Sequence, residues 1–78
     1  MTGNQIEFFD DIYRKYYKMM YDVALRIVKN PEIAEDVVAD AFLVLITKIN
    51  AVIEHEQPVK WLFRVLKNNA LNERRAQS

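Results

Sequence analysis

Residues 30–50, NPEIAEDVVADAFLVLITKIN, decide how this chain folds. Asn30 is a favoured helix N-cap. Pro31 suits the first helical position, where no N–H is needed, and Glu32 sets a negative charge at the positive end of the helix dipole. Ile33, Val37, Ala41, Leu45 and Ile49 then recur every four residues and make one helical face. Phe42, Leu43, Val44 and Ile46 crowd the middle, so AFLVLI is apolar nearly all round. An isolated run of this kind also suits a buried strand. Here it lies inside a longer helical pattern of good helix formers, and its length predicts a helix over about 31–50.

On the upstream side, Ile6, Phe9, Tyr13, Tyr16, Met20, Val23 and Ile27 recur at spacings of three and four, which predicts a helix over about 5–29. Downstream, AVIEHEQ at 51–57 loses the period, and Pro58 offers a new first turn. Val59, Leu62, Phe63, Leu66 and Ala70 share a face beyond it, predicting a third helix over about 58–75 whose other side is basic. With one glycine, Gly3, and two prolines, the chain has few other places to turn. The expected fold is all-α, a small three-helix bundle forming a single domain over 1–78, with a connecting loop at about 51–57.

A fold of 78 residues buries only about 60% of the surface its unfolded chain exposes, so apolar packing has a thin margin to work with. No cysteine is present to form a disulfide or thiolate site, and His55, the sole histidine, cannot build a metal site alone. No apolar run approaches the roughly 20 residues of a membrane span, and MTGNQIEFFDD does not resemble a signal peptide, so a cytoplasmic protein without a membrane partner is expected. Charge is balanced in total but split along the chain. Residues 30–56 set Lys48 against six acids, a net of −5, and residues 57–78 set five cations against Glu73, a net of +4. A domain polarised in this way can face two different partners.

Enzymatic chemistry is disfavoured, because no nucleophile–base pair, glycine-rich phosphate loop or metal-ligand spacing is present. Adjacent residues rarely converge on one site, so Glu54-His55-Glu56 reads as a solvated loop rather than an acid–base cluster. Along the third helix Lys60, Arg64, Lys67 or Asn68, Leu71 and Arg75 fall on one side, a row that suits successive phosphates and equally suits an ordinary solvated face. Asn68 and Asn69 are poor mid-helix residues whose amides can read a base edge or cap a turn, and both readings stand. Trp61 shares that side, but burial in the core is the commoner use of an indole. The second helix offers more apolar surface than a small bundle can hide, unless it is packed on both sides.

Two ordered stretches resemble a known pattern. Asn30-Pro31-Glu32 through Ala34-Glu35-Asp36-Val37-Val38 and Asp40-Ala41-Phe42 is similar to the proline–acid–AED–VVQ–E–x–F helix of extracytoplasmic-function (ECF) sigma factors, members of the sigma-70-like family. Trp61-Leu62-Phe63-Arg64-Val65 through Asn68 resembles their WLxRIAxN helix, and Tyr13, Tyr16 and Tyr17 resemble their aromatic-rich opening. The likeness spans essentially the whole chain and is to region 2 of those factors.

The resemblance implies a region 2 bundle that works in transcription initiation without covalent chemistry or cofactor. It makes the second helix the surface that grips the β′ coiled coil of RNA polymerase core, with Asp36 and Asp40 as polar contacts among Glu35, Ala39 and Leu43. It makes the loop from about Val52 to Gln57, through Ile53, Glu54 and His55, the pocket for a nontemplate-strand base flipped out of the promoter −10 element. Asn68 lines that pocket, and Lys60, Arg64, Lys67, Arg74 and Arg75 become phosphate contacts. Flipping a base costs a few kcal/mol, so strand opening needs both a pocket for the base and cations for the backbone. An anti-sigma protein and a separate region 4 domain or polypeptide are further partners the family admits.

The chain departs from the pattern at Ala39, where the family usually has glutamine, and at Glu54 and Glu56, whose charge repels a phosphate backbone. These departures leave room for a region-2-like interaction module that binds polymerase or an anti-sigma factor without reading DNA; an unrelated self-associating bundle is a third possibility. With no helix-turn-helix for a −35 element in its 78 residues, the chain is expected to be either an excised domain or a short protein that works beside a second polypeptide.

Overall fold

In the computed structural model, which describes residues 1–77 and side chains over 1–75, helix α1 (Gly3–Val28) starts at a capping box. The Gln5 N–H donates to the Thr2 hydroxyl at 3.2 Å, and the Thr2 N–H donates back to the Gln5 side chain at 3.0 Å. The helix ends at Lys29, whose left-handed backbone (φ 57°, ψ 30°) lets its N–H reach the Leu25 carbonyl at 2.8 Å. The next residue already begins α2 (Pro31–Thr47), with the Ile33 N–H donating to the Asn30 side chain at 3.1 Å. A two-residue connection of this kind folds the two helices into an antiparallel hairpin.

Beyond α2 the structure corrects the expected boundaries. The second helix stops at Thr47 rather than near residue 50, and the Thr47 hydroxyl donates to the Leu43 carbonyl at 2.9 Å, a back-bond that loosens a helix end. Lys48 leaves the helical region (φ −109°, ψ 21°), and the chain resumes as a single turn, α3 (Ile49–Val52). Residues 51 and 52 are therefore helical, and the connection proper spans 53–57. The turn persists because Ile49 and Val52, three residues apart, both bury their side chains. Helix α4 (Pro58–Gln77) completes the fold, so three long helices carry the bundle and α3 is a short addition.

α1, α2 and α4 each pack against the other two. Their shared core includes Met20 and Ala24 from α1, Val37, Val38 and Leu45 from α2, and Leu62, Leu66 and Ala70 from α4, each with no exposed surface. Every buried residue described is apolar. Fully burying one such large side chain contributes about 1.5–3 kcal/mol, so this interior is the main source of cohesion. The long dimension of 41 Å is close to the length of α1, 26 residues at about 1.5 Å each.

The period expected for α1 holds, but its phase differs. Ile6 and Tyr13 are largely exposed, while Ile12, Ala24 and Val28 are buried. The reason is that α1 serves two neighbours. Phe9, Tyr13 and Tyr17 meet Phe42 of α2, whereas Tyr16 meets Phe63 of α4 edge-on at 6.3 Å.

Candidate functional site

The outer face of α4 gathers most of the sequence candidates. Leu62, Leu66 and Ala70 turn inward, and this rotation sends Lys60, Arg64, Lys67 and Asn68 to the exterior, where all four are exposed. With Phe63 and Leu71 they line an open groove of about 400 Å³. A second groove of about 100 Å³ adjoins it through Lys60 and Arg64 and is completed by His55, Gln57 and Trp61. Lys60, Arg64 and Lys67 form no ion pair among the described residues, whereas on α1 Arg14 pairs with Asp10 and Lys15 with Asp11. Three unspent cations beside an aromatic ring and a carboxamide make a surface suited to a nucleic-acid strand.

Trp61 serves both uses weighed for it, being half-buried against the core while its remaining surface lines the smaller groove. Asn68 faces the larger groove, and Asn69 is half-buried. Arg74 and Arg75 are exposed in the last turns of α4, outside both grooves.

The connection contributes less than the sequence reading expected. Val52 is only 3% exposed, so its side chain belongs to the core and cannot meet a base. Ile53 is half-buried, and Glu54, His55, Glu56 and Gln57 are exposed. Hydrogen bonds from Ile53 N–H to the Ile49 carbonyl and from His55 N–H to the Val52 carbonyl, each 3.0 Å, tether the segment to α3. Glu54 and Glu56 line neither groove.

A different surface lies between α1 and α2. Tyr13, Tyr17, Glu35, Ala39, Phe42, Leu43 and Ile46 line a groove of about 350 Å³. Since each long helix touches the other two, the outer groove between α1 and α2 lies across the bundle from α4. Leu43 is 59% exposed and Ile46 39%, so α2, although packed on both α1 and α4, still leaves apolar side chains outside. Asp36 and Asp40 are exposed on the same helix as Glu35. Partial burial raises the Tyr17 phenol above its ordinary range, and Tyr13, the Glu35 carboxylate and Tyr21 add to the rise. Sequence periodicity had not singled out Tyr13 and Tyr17 as groove residues; the aromatic cluster on Phe42 puts them there.

Among the described residues no three His, Cys, Asp or Glu side chains converge as a metal site would require, and no helix is long and apolar enough to cross a membrane. Residues 12–78 match the family model for sigma-70 region 2. The chain belongs to that family. No curated protein and no solved structure gives a match. As a sigma-70 region 2 domain it has the all-helical fold of the family and a role in transcription initiation that is not enzymatic. For the sigma-70 region 2 family in general, that role involves RNA polymerase core and promoter DNA.

Proposed function

We propose that this sigma-70 region 2 domain is of the ECF type, that it docks on the β′ coiled coil of polymerase core through the α1–α2 groove, and that it holds the unpaired nontemplate strand of the −10 element along α4. The observation that carries this reading is the placement of the cations. Lys60, Arg64 and Lys67 flank Trp61 and Asn68 on two adjoining grooves, across the bundle from an apolar groove with Glu35, Asp36 and Asp40 on its helix. Cations in a row hold successive phosphates, the part of Trp61 that lines the smaller groove gives a base an aromatic surface to stack on, and the far groove leaves the docking helix unobstructed. Arg74 and Arg75 extend the positive strip. The domain works in the cytoplasm with its polymerase; a separate region 4 polypeptide and an anti-sigma protein are partners consistent with the same surfaces.

The experiment is fluorescence anisotropy on single-stranded −10 oligonucleotides with polymerase core present. Binding should weaken as salt rises, and Arg64→Ala should reduce the salt slope by about 0.7 for its one lost phosphate contact. Asn68→Ala should change the preference among sequences rather than the slope. Glu54 and Glu56 favour a second reading, a docking module that does not read DNA. That reading predicts polymerase binding with no salt-dependent DNA contribution.

A further inference from the structure

The α1–α2 groove leaves Leu43 and Ile46 uncovered, and the exposed side of α2 continues from them into acids. Glu32, Glu35, Asp36 and Asp40 are all exposed and form no ion pair among the described residues. α4 carries the counterpart on the other side of the bundle, where Lys60, Arg64 and Lys67 stand beside Phe63 and Leu71, the last 42% exposed. The two faces also agree in spacing. Glu32 to Asp36 and Lys60 to Arg64 are four residues each, and Glu32 to Leu43 and Lys60 to Leu71 are eleven each. On helices of equal rise, a parallel alignment therefore sets Glu32 beside Lys60, Asp36 beside Arg64, Asp40 beside Lys67 and Leu43 beside Leu71. An antiparallel alignment would instead set a leucine against a charge at each end.

We propose that the α1–α2 groove with its acidic border docks a second copy of this chain, whose α4 supplies the cations and the apolar side chains. Opposite charges at matching intervals fix the register, and the leucines and Phe63 give the contact its apolar part. A net charge of zero adds no overall repulsion between copies. Because the two faces lie on opposite sides of one copy, a pair cannot close on itself, and copies add head to tail. Exposed ion pairs are individually weak and are screened by salt, so the stack is concentration-dependent and dissolves as ionic strength rises. Stacking covers the surfaces assigned above to polymerase and to DNA, yet it depends on neither assignment.

The test is sedimentation of the 78-residue chain alone, over a concentration series, at about 0.01 M and about 1 M salt, where the screening length falls about tenfold. At low salt the average mass should climb beyond the 9.2 kDa of one chain as concentration rises, and at high salt it should return to that value. Two doubly substituted chains test the pairing: Asp36→Lys with Asp40→Lys, and Lys60→Glu with Arg64→Glu. All four positions are exposed, and circular dichroism should show the helix content of both variants unchanged. Each variant alone should sediment as a single chain, because its two faces carry the same sign. An equal mixture of the two should associate again, since each reversed face meets its complement on the other variant. Loss of association that mixing does not restore overturns the pairing of α2 with α4, and so does association that high salt leaves unchanged. A chain that stays single at low salt while polymerase core or a single strand binds it leaves those faces to such partners and overturns the proposal, with the strand-holding and docking reading intact.

Discussion

The rings of Tyr13 in α1 and Phe42 in α2 stand 4.9 Å apart, centroid to centroid, at an angle of 51°, and both line the α1–α2 groove. Phe42 is 4% exposed, and it also meets Phe9 edge-on at 5.6 Å and Tyr17 at 6.4 Å. Truncating Phe42 to alanine should destabilise the domain by about 3–5 kcal/mol, since the lost aromatic contacts add to a cavity. A domain of this size has about 5–15 kcal/mol of stability in total, so Phe42→Ala should be largely unfolded in mild urea. Far-ultraviolet circular dichroism across a urea series reads this directly.

The end of α1 offers the opposite change. Lys29 is the only non-glycine residue described with a positive φ, and a left-handed backbone costs an L-residue about 1–2 kcal/mol. Lys29→Gly relieves that cost and gives up a favourable charge at the helix terminus, for a net gain of about 1 kcal/mol. The melting temperature should rise by about 4–8 °C, measured calorimetrically.

Leu43 separates docking from folding. Its side chain is 59% exposed, so Leu43→Glu should leave stability within about 0.5 kcal/mol of the original. On the proposed docking surface the same change places a charge where an apolar partner sits. It should weaken polymerase-core binding at least about tenfold, a loss of about 1.4 kcal/mol, measured by titration of labelled domain. Unchanged affinity would show that the partner sits elsewhere.

Glu35 reports on the same groove through Tyr17. Its carboxylate is one of the charges that hold the phenol above its ordinary range, so Glu35→Gln should lower the Tyr17 pKa. The phenolate absorbance should then begin to rise at a lower pH than in the unmodified chain. Burial is the larger cause, so part of the elevation should remain.

Much of this structure could be read from local chemistry. Asn30-Pro31 and Pro58 announce helix starts because proline and N-cap residues act within a few bonds of themselves. The outward turn of Lys60, Arg64 and Lys67 followed from three apolar positions on the opposite side of one helix. The break at Lys48 was not legible, since neither glycine nor proline marks it and the resumed turn depends on Ile49 and Val52 finding the core. The phase of α1 was hidden for a related reason. A helix with two neighbours carries apolar residues on two flanks, and periodicity alone cannot say which flank is deeper. The acids at 54 and 56 argued against strand binding in sequence, whereas their position relative to the grooves depends on how the connection turns.

The wholly apolar interior sets where change is tolerated. Since no described charged or polar residue is buried, the groups that give each face its character sit on a scaffold whose cohesion does not depend on them. On the proposed reading, strand preference and partner preference can thus drift independently, by exchange of a few outward-facing side chains, while the helices beneath stay in register.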